Sequence, residues 1–263
     1  MGNKDTNEKI ITAISFTVLL VLIILVNTLS LNGMKSWEIL ASYPNLVTPA
    51  RYTCFIWSFI YLHLTAFTLY QLDLIPMLQT RIKKEVLSHI RILFIVSSLS
   101  NIAWIFAWHY DFLALSLMLI FIMLICLIYI NRKISLEELS KCDKILIRLP
   151  FGIYYGWIFI ATVINMTTLF VSIGWKRFGL SESFWTIITL IGILIIATVQ
   201  TLRNRDLAYC LTIIWAYCGI LVKHISTSYL GGQYPEIIIT IIISIILLTI
   251  GEGYLYLSKK KRG

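Results

Sequence analysis

Between residues 98 and 110 the chain reads SLSNIAWIFAWHY, an apolar run carrying one carboxamide and two indoles at Asn101, Trp104 and Trp108. On an α-helix these offsets of three and four residues put all three on one face. Trp57 and Tyr61, four apart in a second apolar run, share a face in the same way. Asn165 adds another carboxamide in a third run. A side chain that needs a hydrogen bond is costly in hydrocarbon and turns toward protein or a water-filled cavity. On spacing alone three readings stand side by side. The residues form a wall of rings and donors around a ligand; or the asparagines fasten helices together, worth about 0.6–2 kcal/mol each; or the tryptophans anchor a membrane surface, with Trp108, His109 and Tyr110 as the belt. Conventional enzyme chemistry is missing from the pattern. The five cysteines form no C-x-x-C pair, and Cys54, Cys126, Cys210 and Cys218 fall in apolar runs, where they read as small buried hydrophobes. The four histidines are scattered, and neither a Ser/His/Asp arrangement nor a phosphate-cradling glycine loop can be traced.

The elements that must position these residues follow from the medium. With 59% hydrophobic and 13% charged residues and a mean hydropathy of +0.85, the 263-residue chain is an integral membrane protein. A helix crosses about 30 Å of hydrocarbon with roughly 20 apolar residues. Eight runs have that length: 10–31, 52–72, 90–109, 112–131, 149–173, 183–202, 207–226 and 236–257. They are continuously apolar rather than alternating, which predicts an all-α polytopic bundle and not a barrel. Eight spans put both termini on one side with the second, fourth and sixth loops, and seventeen of the 22 Lys and Arg fall there. The opposite side keeps Lys35, Arg51, Lys176, Arg177 and Lys223. The positive-inside rule then places both termini in the cytoplasm. The net charge of +9 reflects topology and contact with anionic membrane lipids, not nucleic acid. The Ile- and Lys-rich composition points to a bacterial cytoplasmic membrane. Counted at about 1.5 Å per residue from the span ends, Asn101 and Asn165 both lie roughly 12 Å below the outer surface, so the two carboxamides are placed to meet.

Three segments, taken in order, carry a resemblance. TPARYTCFIWSFIY (48–61), SNIAWIFAWH (100–109) and LPFGIYYGWIFIATVIN (149–165) resemble the TspO/MBR family, the tryptophan-rich sensory proteins related to the translocator protein. Trp57 and Tyr61 match that family's W-x-x-x-Y, and Asn101 and Trp104 its N-x-x-W. Pro150, Trp157, Ala161 and Asn165 fit its P-Y-x-x-W-x-x-x-A-x-x-x-N, with the spacing of the Trp, Ala and Asn kept. The chain departs at Ala50, where the family has a second proline, and at Ala107 and Trp108, where it has two phenylalanines. After the first helix only Trp37 stands for the family's Trp-Tyr pair. The resemblance covers about residues 10–173 and implies a five-helix TspO/MBR-like core over 1–178, followed by three additional helices and a basic tail over 179–263.

The resemblance further implies a pocket that opens toward one leaflet, capped by the loop between the first two helices. Such pockets bind porphyrins and other tetrapyrroles, sterols and synthetic aromatic ligands. The site implied here is Trp57, Tyr61, Asn101, Trp104, Trp108, Trp157, Ala161 and Asn165, with Trp157 as its floor. No cofactor is required, a porphyrin or haem-like molecule is the expected ligand, and homodimers are implied as well. Three functions come with the family: sensory or regulatory binding of the hydrophobic ligand, which the Trp and Asn constellation favours; transport of it; and light- or oxygen-dependent degradation of a bound tetrapyrrole. Neither an inverted repeat nor paired broken helices is visible to support transport.

The last three spans have candidates of their own. Glu252, in TIGEGYLY, is an intramembrane carboxylate, read as a proton-coupling site or a partner for His63, or else as a side chain that snorkels to headgroups or bonds a neighbouring helix. Lys223 and His224, near the outer end of the seventh span, are expected to snorkel outward. The pairs Gly152/Gly156 and Gly251/Gly253 permit close helix contact.

Overall fold

A computed structural model describes residues 2–29, 31–74 and 80–260; Lys261 and Arg262 of the basic tail lie outside the described residues. Eight helices in it are long and apolar enough to cross a membrane. They are α1 (Gly2–Leu29), α3 (Ile56–Tyr70, which reaches spanning length together with the 3-10 turn Arg51–Phe55 that leads into it), α4 (Lys84–His109), α5 (Leu113–Ser135), α6 (Lys141–Ser172), α7 (Glu182–Asn204), α8 (Leu207–Ile225) and α9 (Pro235–Lys260). The short α2 (Ser36–Ser42) lies between the first two. No strand occurs among the described residues. The helices fall on the eight expected runs, and α1, α4 and α6 reach beyond them into polar sequence on the side of the termini. A helix need not stop where the hydrocarbon stops, and ion pairs tie the extension of α1 to α4 and to the end of α3. Arg91, only 1% exposed, bonds Asp5 of α1 at 2.5 Å, and Lys9 reaches both Asp5 and Asp73. α6 enters the membrane through a π-helical stretch, Lys144–Arg148.

Five helices close a ring in the order α1, α4, α5, α6, α3, each packed on the next and α3 back on α1. Toward the termini the ring is solid. Phe16, Phe67, Phe94 and Phe151, one from each of four helices, interlock with centroids 4.8–5.7 Å apart, and each is buried. This packing, edge-to-face except for the tilted Phe16–Phe94 pair, fills the middle and leaves the other half of the ring to be shaped by different residues.

α7, α8 and α9 pack on one another, and α8 lies along the outside of α6. Gly152 and Gly156 make that contact possible. A Cβ at Gly152 would come within 2.8 Å of the Asp206 carboxylate, and one at Gly156 within 2.8 Å of the Tyr209 carbonyl. Gly251 and Gly253 make no such approach, since a Cβ at either meets open space. Asp206 caps α8 by accepting the backbone N–H groups of Ala208 and Tyr209. It is almost fully enclosed, and burial raises its carboxyl above the ordinary carboxylate range, with the nearby Arg148 guanidinium opposing.

Candidate functional site

Away from the termini the ring encloses a cavity of about 1130 Å³, walled by α1, α3, α4 and α6. Lys35, Trp37, Pro49 and Arg51 line its mouth, from α2 and its N-cap and from the segment that leads into α3. Trp57 is the hub of the wall. It stacks on Tyr61 with centroids 5.5 Å apart, sits 6.1 Å from Trp104, and meets Trp157 edge-on at 6.1 Å. Trp104 stacks in turn on Trp108 at 5.9 Å. The stacked pairs are the i, i+4 pairs of the sequence, so local helix geometry sets them; the Trp57 to Trp104 and Trp157 contacts come from the neighbours each helix has in the ring. Trp108 is buried and lines the cavity, so it is no lipid-facing anchor, whereas Tyr110 is 49% exposed.

Seven of the eight expected residues line this cavity: Trp57, Tyr61, Trp104, Trp108, Trp157, Ala161 and Asn165. Asn101 does not. It is fully buried behind the wall, where its Nδ2 donates to the hydroxyls of Tyr61 (3.4 Å) and Tyr154 (3.3 Å). Its bond to Tyr61 links it to the cavity wall.

The expected meeting of Asn101 with Asn165 does not occur. Asn165 Oδ1 accepts from Trp104 Nε1 (3.2 Å) and Ser116 Oγ (2.6 Å), while its Nδ2 donates to the Ala161 carbonyl. Equal depth fixes one coordinate of three: Asn101 faces α3 and Tyr154, whereas Asn165 faces Trp104 and α5. The N–H of Trp157, a residue only 2% exposed, has no hydrogen-bond partner among the described residues. A buried donor left unpaired costs about 1–3 kcal/mol, which an acceptor on a ligand would recover.

His63 and Glu252 do not pair either. His63 Nδ1 lies 2.9 Å from the Phe59 carbonyl one turn back on α3. Glu252 sits beside Cys210 of α8. α9 packs on α7 and α8, while α3 packs on α1 and α6.

The largest departure from expectation is at the mouth. Lys223 and His224 turn inward instead of snorkelling. Lys223 Nζ donates to the Asn45 carbonyl at 2.9 Å, and His224 Nε2 lies 3.0 Å from the Leu46 carbonyl, which can only accept. One and two turns earlier on α8, the Gly219 carbonyl accepts the Ala50 N–H (3.0 Å) and Trp215 Nε1 donates to the Thr53 carbonyl (3.1 Å). The segment 44–50 has no helix or strand of its own to satisfy its backbone, and at the membrane surface those groups need partners. α8 supplies them. On the opposite flank the Tyr43 hydroxyl donates to Asp111 at 2.6 Å, and that carboxylate holds the phenol above its usual range, with burial adding to the shift. The Arg51 guanidinium lies 3.8 Å over the Trp37 ring. Motif reading misses Lys35, Arg51 and Tyr229 as lining residues. Lys35 and Arg51 do leave one signal, cations on the side where cations are scarce.

A family model described as TSPO-like protein matches residues 9–254, from α1 through α9, and so takes in the last three helices as well as the ring. No curated protein and no solved structure matches the chain.

Proposed function

The chain belongs to the TSPO-like family, membrane proteins of the ligand-binding or transport type, and from that membership we propose that it is a sensory or regulatory receptor for a broad hydrophobic aromatic molecule, a tetrapyrrole or a sterol-like compound. The ligand lies in the cavity ringed by α1, α3, α4 and α6. The observation that carries this reading is the convergence of Trp57, Trp104 and Trp157, from three different helices, on that one hollow, with ring centroids 6.1 Å from the hub. Flat rings desolvate a flat ligand, and a few placed donors fix its orientation. The volume of about 1130 Å³ lies just above the roughly 300–1,000 Å³ of ordinary small-molecule sites, which suits a macrocycle. Lys35 and Arg51 line the cavity and no Asp or Glu is among its lining residues; Glu38 of α2, which accepts the Lys35 backbone N–H at 2.7 Å, lies outside that lining. That balance favours an acidic substituent at the mouth, and hence a carboxylated tetrapyrrole over a neutral sterol. With seventeen cations on the side of the termini, the termini face the cytoplasm and the cavity opens toward the outer leaflet.

The test is a titration of tryptophan fluorescence with protoporphyrin in detergent. Saturable quenching is expected, weakened about tenfold or more (1.4 kcal/mol) in Trp57→Phe and Trp157→Phe. The dimethyl ester of the same porphyrin should bind more weakly than the free acid, and equally to Arg51→Gln. Quenching that never saturates, or that in both tryptophan variants is unchanged from the unmutated protein, refutes the assignment.

A further inference from the structure

A second cavity, of about 490 Å³, lies where α6 ends and α7 begins, against residues 44–47 of the mouth segment. Phe170, Trp175 and Trp185 form an aromatic wall, with Trp175 4.8 Å from one neighbour and 5.0 Å from the other. Lys176 and Arg177 line it in the connecting loop. Glu182 lines it too, but both its oxygens are committed: Oε1 accepts the Leu46 N–H (3.2 Å), and Oε2 lies 3.7 Å from Arg177 Nη1. That leaves the cavity with one cation in excess. Lys176 has no ion-pair partner among the described residues, and Arg177 Nε has no hydrogen-bond partner there.

Cations on this side of the membrane number five. Lys35 and Arg51 line the large cavity, Lys223 holds the Asn45 carbonyl, and the remaining two line the small one. Aromatic residues at this level commonly form a belt that faces the bilayer. A belt encloses no volume, whereas these rings wall one. The small cavity sits at the end of two membrane spans, where lipid headgroups meet acyl chains. Its excess charge is cationic, and its walls are mainly apolar, with Thr167, Thr186 and Thr189 among the lining residues. A free anion would satisfy the cations and leave the wall wetted; a neutral sterol would fill the wall and leave the cations without a partner.

We propose that this cavity holds one anionic phospholipid from the leaflet on that side, its phosphate against Lys176 and Arg177 and an acyl chain along Phe170, Trp175 and Trp185. The site is separate from the large cavity and does not depend on what binds there.

The experiment is native mass spectrometry of the full chain released from detergent with phosphatidylglycerol or phosphatidylcholine of identical acyl chains. One phosphatidylglycerol should be retained roughly tenfold more than phosphatidylcholine, the scale of one charge-assisted contact. The preference should vanish in Lys176→Gln/Arg177→Gln and persist in Arg51→Gln. Should the double variant fail to fold, Lys176→Gln alone, at an exposed position, should remove part of the preference. Equal retention of the two lipids overturns the proposal, as does a preference that survives loss of both cations. Loss of the preference in Arg51→Gln would put the lipid in the large cavity, and displacement by inorganic phosphate would mark a simple anion site; either result also overturns it.

Discussion

Gly219 gives the sharpest handle on the mouth of the large cavity. A Cβ there would overlap Thr53 Oγ1 and come within 2.8 Å of Thr53 Cγ2 and 3.0 Å of Pro49 Cβ. Neither neighbour is the end of a flexible side chain: one is a fully buried threonine in the turn Arg51–Phe55, the other a ring. Gly219→Ala must therefore push the segment off α8. Overpacking of this kind costs about 1–3 kcal/mol, and the Ala50 to Gly219 hydrogen bond it strains is worth about 0.5–1.5 kcal/mol more. The sum of about 2–4 kcal/mol corresponds to a Tm lower by roughly 5–15 °C for a chain of this size. Because Pro49 and Arg51 line the cavity, porphyrin affinity should fall as well. Thermal scanning in detergent and the fluorescence titration read the two effects. Thr53→Ala removes the two closest atoms, so the double variant Gly219→Ala/Thr53→Ala should recover at least half of both losses, a coupling that a double-mutant cycle isolates. If Gly219→Ala matches the unmutated protein in Tm and affinity, or if Thr53→Ala restores nothing, the contact of α8 with the mouth is not as described.

Asn165→Leu strips the acceptor from both Trp104 Nε1 and Ser116 Oγ; a loss of about 1–3 kcal/mol is expected, visible as a lower Tm and faster depolarisation of tryptophan fluorescence. Asp206 has its folded pKa raised by burial, so the stability it contributes is fully present below its unfolded value of about 3.8 and is lost as pH rises through the higher folded value. In Asp206→Asn that fall in Tm with rising pH should disappear. Tyr43, raised through Asp111 and burial, should hold its contribution below an unfolded value of about 10 and lose it as pH climbs through its folded value. Tyr43→Phe should lack that alkaline step in the same scan.

The sequence made the spans legible, because continuous apolar length is a property of each helix alone. It also made the stacked pairs legible: Trp57 with Tyr61 and Trp104 with Trp108 lie one turn apart, and the helix itself brings them together. Where a contact needs knowledge of which helix stands beside which, local pattern was insufficient. Asn101 and Asn165 share a depth and still face different partners. Lys223 and His224 carry every mark of outward snorkelling, yet the carbonyls of Asn45 and Leu46, distant in sequence, outcompete water for them. Glu252 and His63 were linked by chemistry alone, and the order of packing keeps each with other neighbours.

The hold of α8 on the mouth has a bearing on how the protein is made. Trp215, Lys223 and His224 follow the backbone groups they bond by 162 to 178 residues. At a synthesis rate of about 5–20 residues per second, the mouth segment leaves the ribosome roughly 8–36 s before its latch, and the five-helix ring, complete at Ser172, roughly 2–10 s before it. During those last seconds the nascent chain already carries the tryptophan chamber while its doorway is fastened on one flank only, by Tyr43 on Asp111, until the seventh span arrives.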